Sequence, residues 1–250
     1  MTPDTTPAVE LQGVTKSFGG RRVLDDVSFT VQAGRSLAIL GRSGTGKSVT
    51  LRHMIGLVAP DTGRVIVEGH DLATLGTGEL SKVRQRIGFL FQGAALFDSI
   101  SVGGNVAFPM ERHTKLAPPA IRERAHALLR DVGLEAEYDA MPGQLSGGMR
   151  KRAGLARAMA LQPSILLVDE PSAGLDPITS AAIDRLLLEL QRQSGTTLVV
   201  VTHNIPSART IADELVFLDA GRVLARGSAA ELGHHDDPLV REFMGAESTG

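Results

Sequence analysis

Leu37-Ala-Ile-Leu-Gly41-Arg-Ser-Gly-Thr-Gly46-Lys47-Ser48-Val-Thr-Leu51 is the stretch on which the fold turns. The apolar run 37–40 reads as a strand buried on both faces. Beyond the loop, Leu51, Met54, Ile55 and Val58 recur at i, i+3, i+4 and i+7, the pattern of a helix with one apolar face. Between strand and helix, residues 41–48 match G-x-x-x-x-G-K-[ST], in the context that a phosphate-binding loop requires. Glycines let successive backbone N–H groups curl round an anion, and the helix N-terminus adds partial positive charge. All eight residues, Gly41, Arg42, Ser43, Gly44, Thr45, Gly46, Lys47 and Ser48, are therefore candidate nucleotide contacts. Lys47 offers a point charge to the β- and γ-phosphates, and the Ser48 hydroxyl is a candidate Mg²⁺ ligand.

Outward from this unit, short apolar runs alternate with stretches of helical period, which predicts an α/β fold with a largely parallel sheet. Residues 9–18 and 23–31 differ: they read as strands joined across Gly19-Gly20, so a small antiparallel β subdomain is expected first. Further strands are expected at 63–68, 87–91, 165–168 and 198–201, a helix through Ile183, Leu186, Leu187 and Leu190, and a late hairpin around Asp219-Ala220-Gly221. Between about 95 and 160 no strand pattern occurs. Pro118-Pro119 opens a helix there, with Ile121, Ala125, Leu128 and Val132 on one face, and the segment reads as an inserted α-helical subdomain. The expected organisation is one domain over 1–232 and a tail over 233–250. That tail reads as a frayed end, the alternative being a helix whose Leu239, Val240 and Phe243 pack on a partner subunit.

Composition removes several functions. The 250 residues carry 26 Lys+Arg and 28 Asp+Glu, a net charge of −2, which gives no electrostatic reason to expect nucleic-acid binding. One Tyr and no Trp argue against a base-stacking platform. The absence of cysteine excludes disulfides, thiolate zinc sites and cysteine nucleophiles. No apolar run approaches the roughly 18 residues of a membrane span, and the N-terminus has neither the basic nor the apolar part of a secretory signal. A soluble, cytoplasmic chain is the expectation. The 28 glycines exceed the usual share of about 7%, which suggests backbone brought close to something.

A second chemical motif is Ile165-Leu-Leu-Val168-Asp169-Glu170, an apolar strand ending in two carboxylates. Asp169 is placed to hold Mg²⁺ through water, and Glu170 to orient and polarise an attacking water. Loop and acids together indicate a P-loop (RecA-like) nucleoside triphosphatase core. Leu145-Ser146-Gly147-Gly148-Met149, opening the basic segment Arg150-Lys151-Arg152, supplies a second set of a hydroxyl, two glycines and a helix N-terminus.

With these residues the sequence resembles the ATP-binding cassette (ABC) family, whose signature is usually Leu-Ser-Gly-Gly-Gln, over about residues 9–227. The resemblance implies that Ser146, Gly147, Gly148 and Met149 face the ATP of a second copy, in a head-to-tail dimer. It also implies that Phe18 stacks on adenine and that Gln92 touches Mg²⁺ and the attacking water. Ser172-Ala-Gly-Leu-Asp176 would cross the dimer interface, with Asp176 as a contact, and His203 would meet the γ-phosphate. Two residues depart from the pattern. Met149 cannot donate the hydrogen bonds of the usual Gln, and Arg42 replaces a common Pro at a position that contributes backbone.

Four blocks are similar to the ATPase of MCE-type (Mla) phospholipid transporters: Gln92-Gly-Ala-Ala-Leu-Phe97, Asn105-Val-Ala-Phe-Pro109, 145–153 and 169–179. By that resemblance the chain is the motor subunit on the cytoplasmic face of the inner membrane. Its partners would be an integral permease docking near 97–110, an MCE lipid-binding protein and a STAS-domain regulator. Alternatives are a small-solute importer ATPase such as one for amino acids, a soluble ABC protein of translation or DNA repair, and a non-hydrolysing nucleotide sensor. The remaining histidines receive no role: His234-His235 read as solvated tail, and His53, His70, His113 and His126 as surface or helix-face residues.

Overall fold

The structure, a computed structural model, describes residues 6–245. The first five residues, read above for signal features, and the last five of the expected tail lie outside the described residues. The chain divides into two compact units, one running to Arg84 and resuming at Thr197, the other Gln85–Thr196.

The first unit opens with β1 (Pro7–Phe18), β2 (Arg21–Gln32), β3 (Ser36–Leu40), α1 (Lys47–Met54), β4 (Thr62–Val67), β5 (His70–Asp71) and α2 (Thr77–Gln85). The second contains β6 (Ile87–Leu90), α3 (Val102–His113), α4 (Pro118–Asp131), α5 (Gly147–Met159), β7 (Ile165–Asp169) and α6 (Pro177–Ser194). The chain then returns with β8 (Thr197–Val201), α7 (Ile205–Ile211), β9 (Glu214–Asp219), β10 (Arg222–Gly227), α8 (Ala229–Gly233) and α9 (Pro238–Gly245).

Within the first unit, β1 lies between β2 and β4 in an antiparallel sheet of order β2-β1-β4-β5. A second sheet places β3 parallel to both β8 and β9, with β10 antiparallel at the edge. Every residue of β3 and β8 is buried, as a parallel strand covered on both faces must be. Polar groups pin the entry to β3: Asp213 Oδ2 accepts from both the N–H and the hydroxyl of Ser36, at 2.9 Å each. In the second unit β6 and β7 pair parallel, again fully buried. Between them the described backbone forms only helices and short 3-10 turns.

Three local expectations change. Helix α1 ends at Met54, so Val58 is not on its face. Gly56 takes φ +68 there, and the Gly56 and Leu57 N–H groups turn back to the His53 and Arg52 carbonyls at 2.9 Å, closing the helix. The buried stripe of α4 is Ile121, Ala125 and Leu129, a four-residue step that leaves Leu128 half-covered. The tail is not frayed over residues 238–245. Val240 and Met244 of α9 are buried with Leu40, Leu215 and Phe217 of their own chain, Phe243 meets Phe217 edge-on at 4.8 Å, and Arg209 Nη2 donates to Met244 O at 2.8 Å. Its apolar face is therefore spent within the subunit rather than offered to a partner.

Candidate functional site

The phosphate loop joins β3 to α1. Gly46 occupies the N-cap of α1 at φ +102 and provides no side-chain cap to the helix start. A Cβ on Gly46 would meet Leu24 Cδ2 at 2.6 Å and Val23 O at 2.8 Å, so both conformation and packing demand glycine. Lys47 is buried, and its Nζ donates to the carbonyls of Gly41 at 2.8 Å and Arg42 at 2.9 Å, which holds the ammonium over the loop. Thr45 Oγ1 donates to Arg42 O at 2.8 Å and tightens the same turn. Ser48 follows as the second residue of α1.

Two further expected residues belong to this unit. Phe18 ends β1 with its ring about half exposed, and Lys16 Nζ lies 5.5 Å from the ring centroid. Lys16 is itself fixed by Asp61 at 2.7 Å. His203 is exposed between the end of β8 and the N-cap of α7, where Asn204 Oδ1 accepts from Ser207 N–H at 2.9 Å. His53 is a correction: it is wholly buried on α1 rather than at the surface. Its Nδ1 lies 2.8 Å from Val49 O, so Nδ1 carries the proton and Nε2 has no hydrogen-bond partner. Burial pushes its pKa below the ordinary histidine value.

In the second unit, Asp169 closes β7 and Glu170 follows at φ +48, both carboxylate residues buried. Left-handed backbone in a non-glycine residue is uncommon and costly. Ser146 is the N-cap of α5, its Oγ accepting from Met149 N–H at 3.3 Å. The signature glycines pack on the start of α6: a Cβ on Gly148 would meet Thr179 Cγ2 at 2.7 Å, and one on Gly147 would meet Leu175 Cδ2 at 3.4 Å. Asp176 caps α6 through the Ile178 and Thr179 N–H groups at 3.0 Å and the Thr179 hydroxyl at 2.6 Å. The Thr179 hydroxyl is the leading cause of its lowered pKa. The structure thus brings signature, acidic strand end and the 172–176 turn together within one unit.

Gln92 is exposed beyond the end of β6, two residues before Ala94 and Ala95, which both adopt positive φ. Arg157 of α5 holds that strained turn, donating from Nη2 to Ala94 O at 2.8 Å and from Nη1 to Ala95 O at 2.7 Å. Asn105, fully buried, ties down the next segment by bonding both the N–H and the carbonyl of Phe97. Beside them Phe89, Phe91, Phe97, Phe108, Pro109 and Arg157 line a groove of about 350 Å³. Val102, Val106 and Met110, from the same stretch as Phe97 and Phe108, are buried instead.

Sequence reasoning missed two residues. Arg157 lay in no motif, and Lys151 was grouped with its basic neighbours. Lys151 is buried, and its Nζ donates to Glu170 O at 2.8 Å. An i+5 spacing from Ser146 to Lys151, turning the side chain away from the exposed cap, was the only available signal.

In the first unit the Ser48 hydroxyl, and in the second the Gln92 amide and the Asp169 carboxylate, are each oxygen donors of the kind a hard cation prefers. Among the described residues no group of three or more His, Cys, Asp or Glu is placed to hold a metal. A cation bound by one carboxylate, a hydroxyl and nucleotide phosphates suits Mg²⁺.

The ABC transporter family profile matches residues 24–173. Mkl of Mycobacterium tuberculosis H37Rv, described as a ribonucleotide transport ATP-binding protein, is 42% identical over 243 residues, covering 97% of this chain and 68% of that one. MlaF of Escherichia coli K12, the ATP-binding protein of an intermembrane phospholipid transport system, is 40% identical over 242 residues, covering 97% and 90%. Among solved structures, the dimeric ATP-binding cassette MJ0796 in a post-hydrolysis state with ADP and Pi superposes at TM-score 0.82. It is 34% identical and covers 88% of this chain and 98% of that one. CbiO1 of Clostridium perfringens, part of an ABC transporter complex, gives 0.84 at 28% identity, covering 97% and 96%.

Proposed function

The chain belongs to the ABC transporter family, and from that premise we propose that it is the ATP-hydrolysing motor of a phospholipid transport system. The observation that carries the cargo assignment is the 40% identity to MlaF across 90% of that protein, together with the four sequence blocks quoted above.

In this reading the N–H groups of 41–48 and the Lys47 ammonium hold the β- and γ-phosphates, and Phe18 stacks on adenine. Ser48, Asp169 and Gln92 are the residues that would hold Mg²⁺, and the ion would neutralise phosphate charge when bound. Glu170 accepts a hydrogen bond from the attacking water and polarises it toward the γ-phosphorus. The water oxygen bonds to the γ-phosphorus as the bond to the β–γ bridging oxygen breaks, ADP leaves with that oxygen, the water's proton passes through Glu170 to the released phosphate, and His203 donates a hydrogen bond to the γ-phosphate oxygens. Ser146–Met149 of a second copy closes over the same nucleotide, with Asp176 at the interface. The dimeric MJ0796 cassette supports two copies acting together.

No helix among the described residues is long and apolar enough to cross a membrane. Coupling to transport therefore rests on a separate permease, which docks in the phenylalanine-lined groove beside Gln92. The motor sits peripherally on the cytoplasmic face of the inner membrane, and an MCE lipid-binding protein and a STAS-domain regulator complete the system. The domain spans 1–232, with a helical subdomain at about 95–160.

The name of Mkl points to ribonucleotides instead, so the test must separate the two cargoes. Affinity purification of the tagged chain from mildly solubilised membranes, with mass spectrometry of proteins and lipids, is expected to recover a permease and an MCE-domain protein carrying phospholipid. Recovery of a permease with a solute-binding protein would overturn the lipid assignment while leaving the motor. Recovery of no membrane protein would overturn the transporter role.

A further inference from the structure

Resting on the assignment of Glu170 as the group that polarises water, we propose that Lys151 is a positioning residue for the reaction, anchoring the Glu170 backbone. The geometry begins with the backbone. Glu170 leaves a fully buried strand and turns at once into left-handed conformation, at φ +48. Such strain persists only where surrounding contacts over-determine it. Two donors converge on its carbonyl: the Ala173 N–H at 3.2 Å, from the turn itself, and Lys151 Nζ at 2.8 Å, from α5. That carbonyl has two lone pairs, so both bonds are available at once. The direction of the Glu170 side chain follows from this peptide's orientation, and Lys151 is the only one of the two donors that lies outside the turn.

The choice of lysine is informative. A neutral amide donor would satisfy a carbonyl, whereas an ammonium must be stripped of water to sit where Lys151 does. Desolvation accordingly pulls its pKa below the ordinary lysine value, while the Glu170 and Asp169 carboxylates pull it back up. Arg150, one residue earlier, is exposed and bonds only locally, to Leu145 O at 2.8 Å. Lys151 also lies on the helix that Ser146 caps, so the segment assigned to the partner's ATP and the anchor of this subunit's Glu170 share α5.

The test compares Lys151→Met, Lys151→Arg and Glu170→Gln in the full chain, by steady-state ATP hydrolysis and by size-exclusion chromatography with ATP. Lys151→Met is expected to lower kcat about 10- to 100-fold while KM for ATP stays within about twofold, the pattern of a misaimed catalytic group. Lys151→Arg, which keeps charge and donors, should recover most of the loss. Added to Glu170→Gln, Lys151→Met should leave the ATP-induced dimer intact, because nucleotide closure does not use this lysine. Turnover of Lys151→Met within about twofold of wild type would overturn the proposal. So would a rise in KM at unchanged kcat, or loss of the dimer in the double variant, since either marks a scaffold role for α5. Should Lys151→Met fail to fold, Lys151→Leu removes the donor in the same way, and wild-type kcat in it would overturn the proposal equally. Wild-type turnover by Glu170→Gln alone would instead overturn the assignment of Glu170 on which the proposal rests.

Discussion

Two helix starts are assigned to phosphate in this chain, and they are built in opposite ways. At α1 the N-cap is Gly46, with no side chain to satisfy the first N–H groups, and the preceding loop is shaped by backbone and the buried Lys47. At α5 the N-cap is Ser146, whose hydroxyl already accepts from the Met149 N–H. The first start receives no cap from its own N-cap side chain, and backbone N–H groups at such a start are suited to an anion. The second is a helix end capped by its own serine, and in the proposed function that serine serves a partner's nucleotide as well. The two starts thus differ in whether the N-cap side chain itself caps the helix.

The largest break in that contrast comes from the cradle. Gly46→Ala adds a Cβ against Leu24 and Val23 at a backbone angle that alanine resists. We expect a stability loss of about 2–4 kcal/mol in urea denaturation, and ATP binding weakened at least about 100-fold by fluorescence titration. Wild-type binding would show that the loop does not depend on this glycine. A smaller effect is expected at the docking face, where Ser146→Ala should cost about 1 kcal/mol of stability through the lost cap. Its hydrolysis should fall while the monomer still binds ATP. Ser146→Asn sharpens the point, because asparagine caps as well as serine. If Asn restores full turnover, Ser146 is only a cap and the trans role fails.

The smallest effect sits beneath the cradle. Burial of His53 on α1 holds its pKa below the unfolded value of about 6.5. The charged groups that face it are Lys16, which lowers the pKa further, and Asp61, which raises it. A depressed folded pKa means the contribution is fully present above the unfolded pKa and is lost as pH falls below it, because the unfolded chain takes the proton first. Melting temperatures measured from pH 7.5 to 5 should decline more steeply in wild type than in His53→Leu. Parallel profiles would show that His53 is protonated without penalty.

The same contrast explains what was legible in the sequence. The cradle is encoded by glycines and a lysine at fixed spacing between an apolar strand and an apolar helix face, so both its place and its chemistry were readable. The parallel strands were readable too, because burial on both faces leaves continuous apolar runs such as Leu198 to Val201. What escaped depends on where polar side chains point. Lys151 sits among arginines and only the fold turns it inward, and His53 shares its helix with Met54 but has no apolar character to announce burial. The end of α1 at Met54 was hidden because Ile55 at the C-cap and Val58 beyond Gly56 keep the helical period although the chain reverses at Gly56. In α9 a short apolar pattern looked too weak to hold, yet Phe217 provides it a surface that local sequence cannot reveal.

The central claim is that Glu170 drives hydrolysis of a nucleotide enclosed by two copies of the chain. The most direct measurement is turnover and size-exclusion chromatography of Glu170→Gln with ATP and Mg²⁺. Turnover should fall about 10²- to 10⁴-fold, ATP binding should persist, and the protein should elute as a stable dimer only when ATP is present. Hydrolysis at the wild-type rate, or a monomer at saturating ATP, would contradict it.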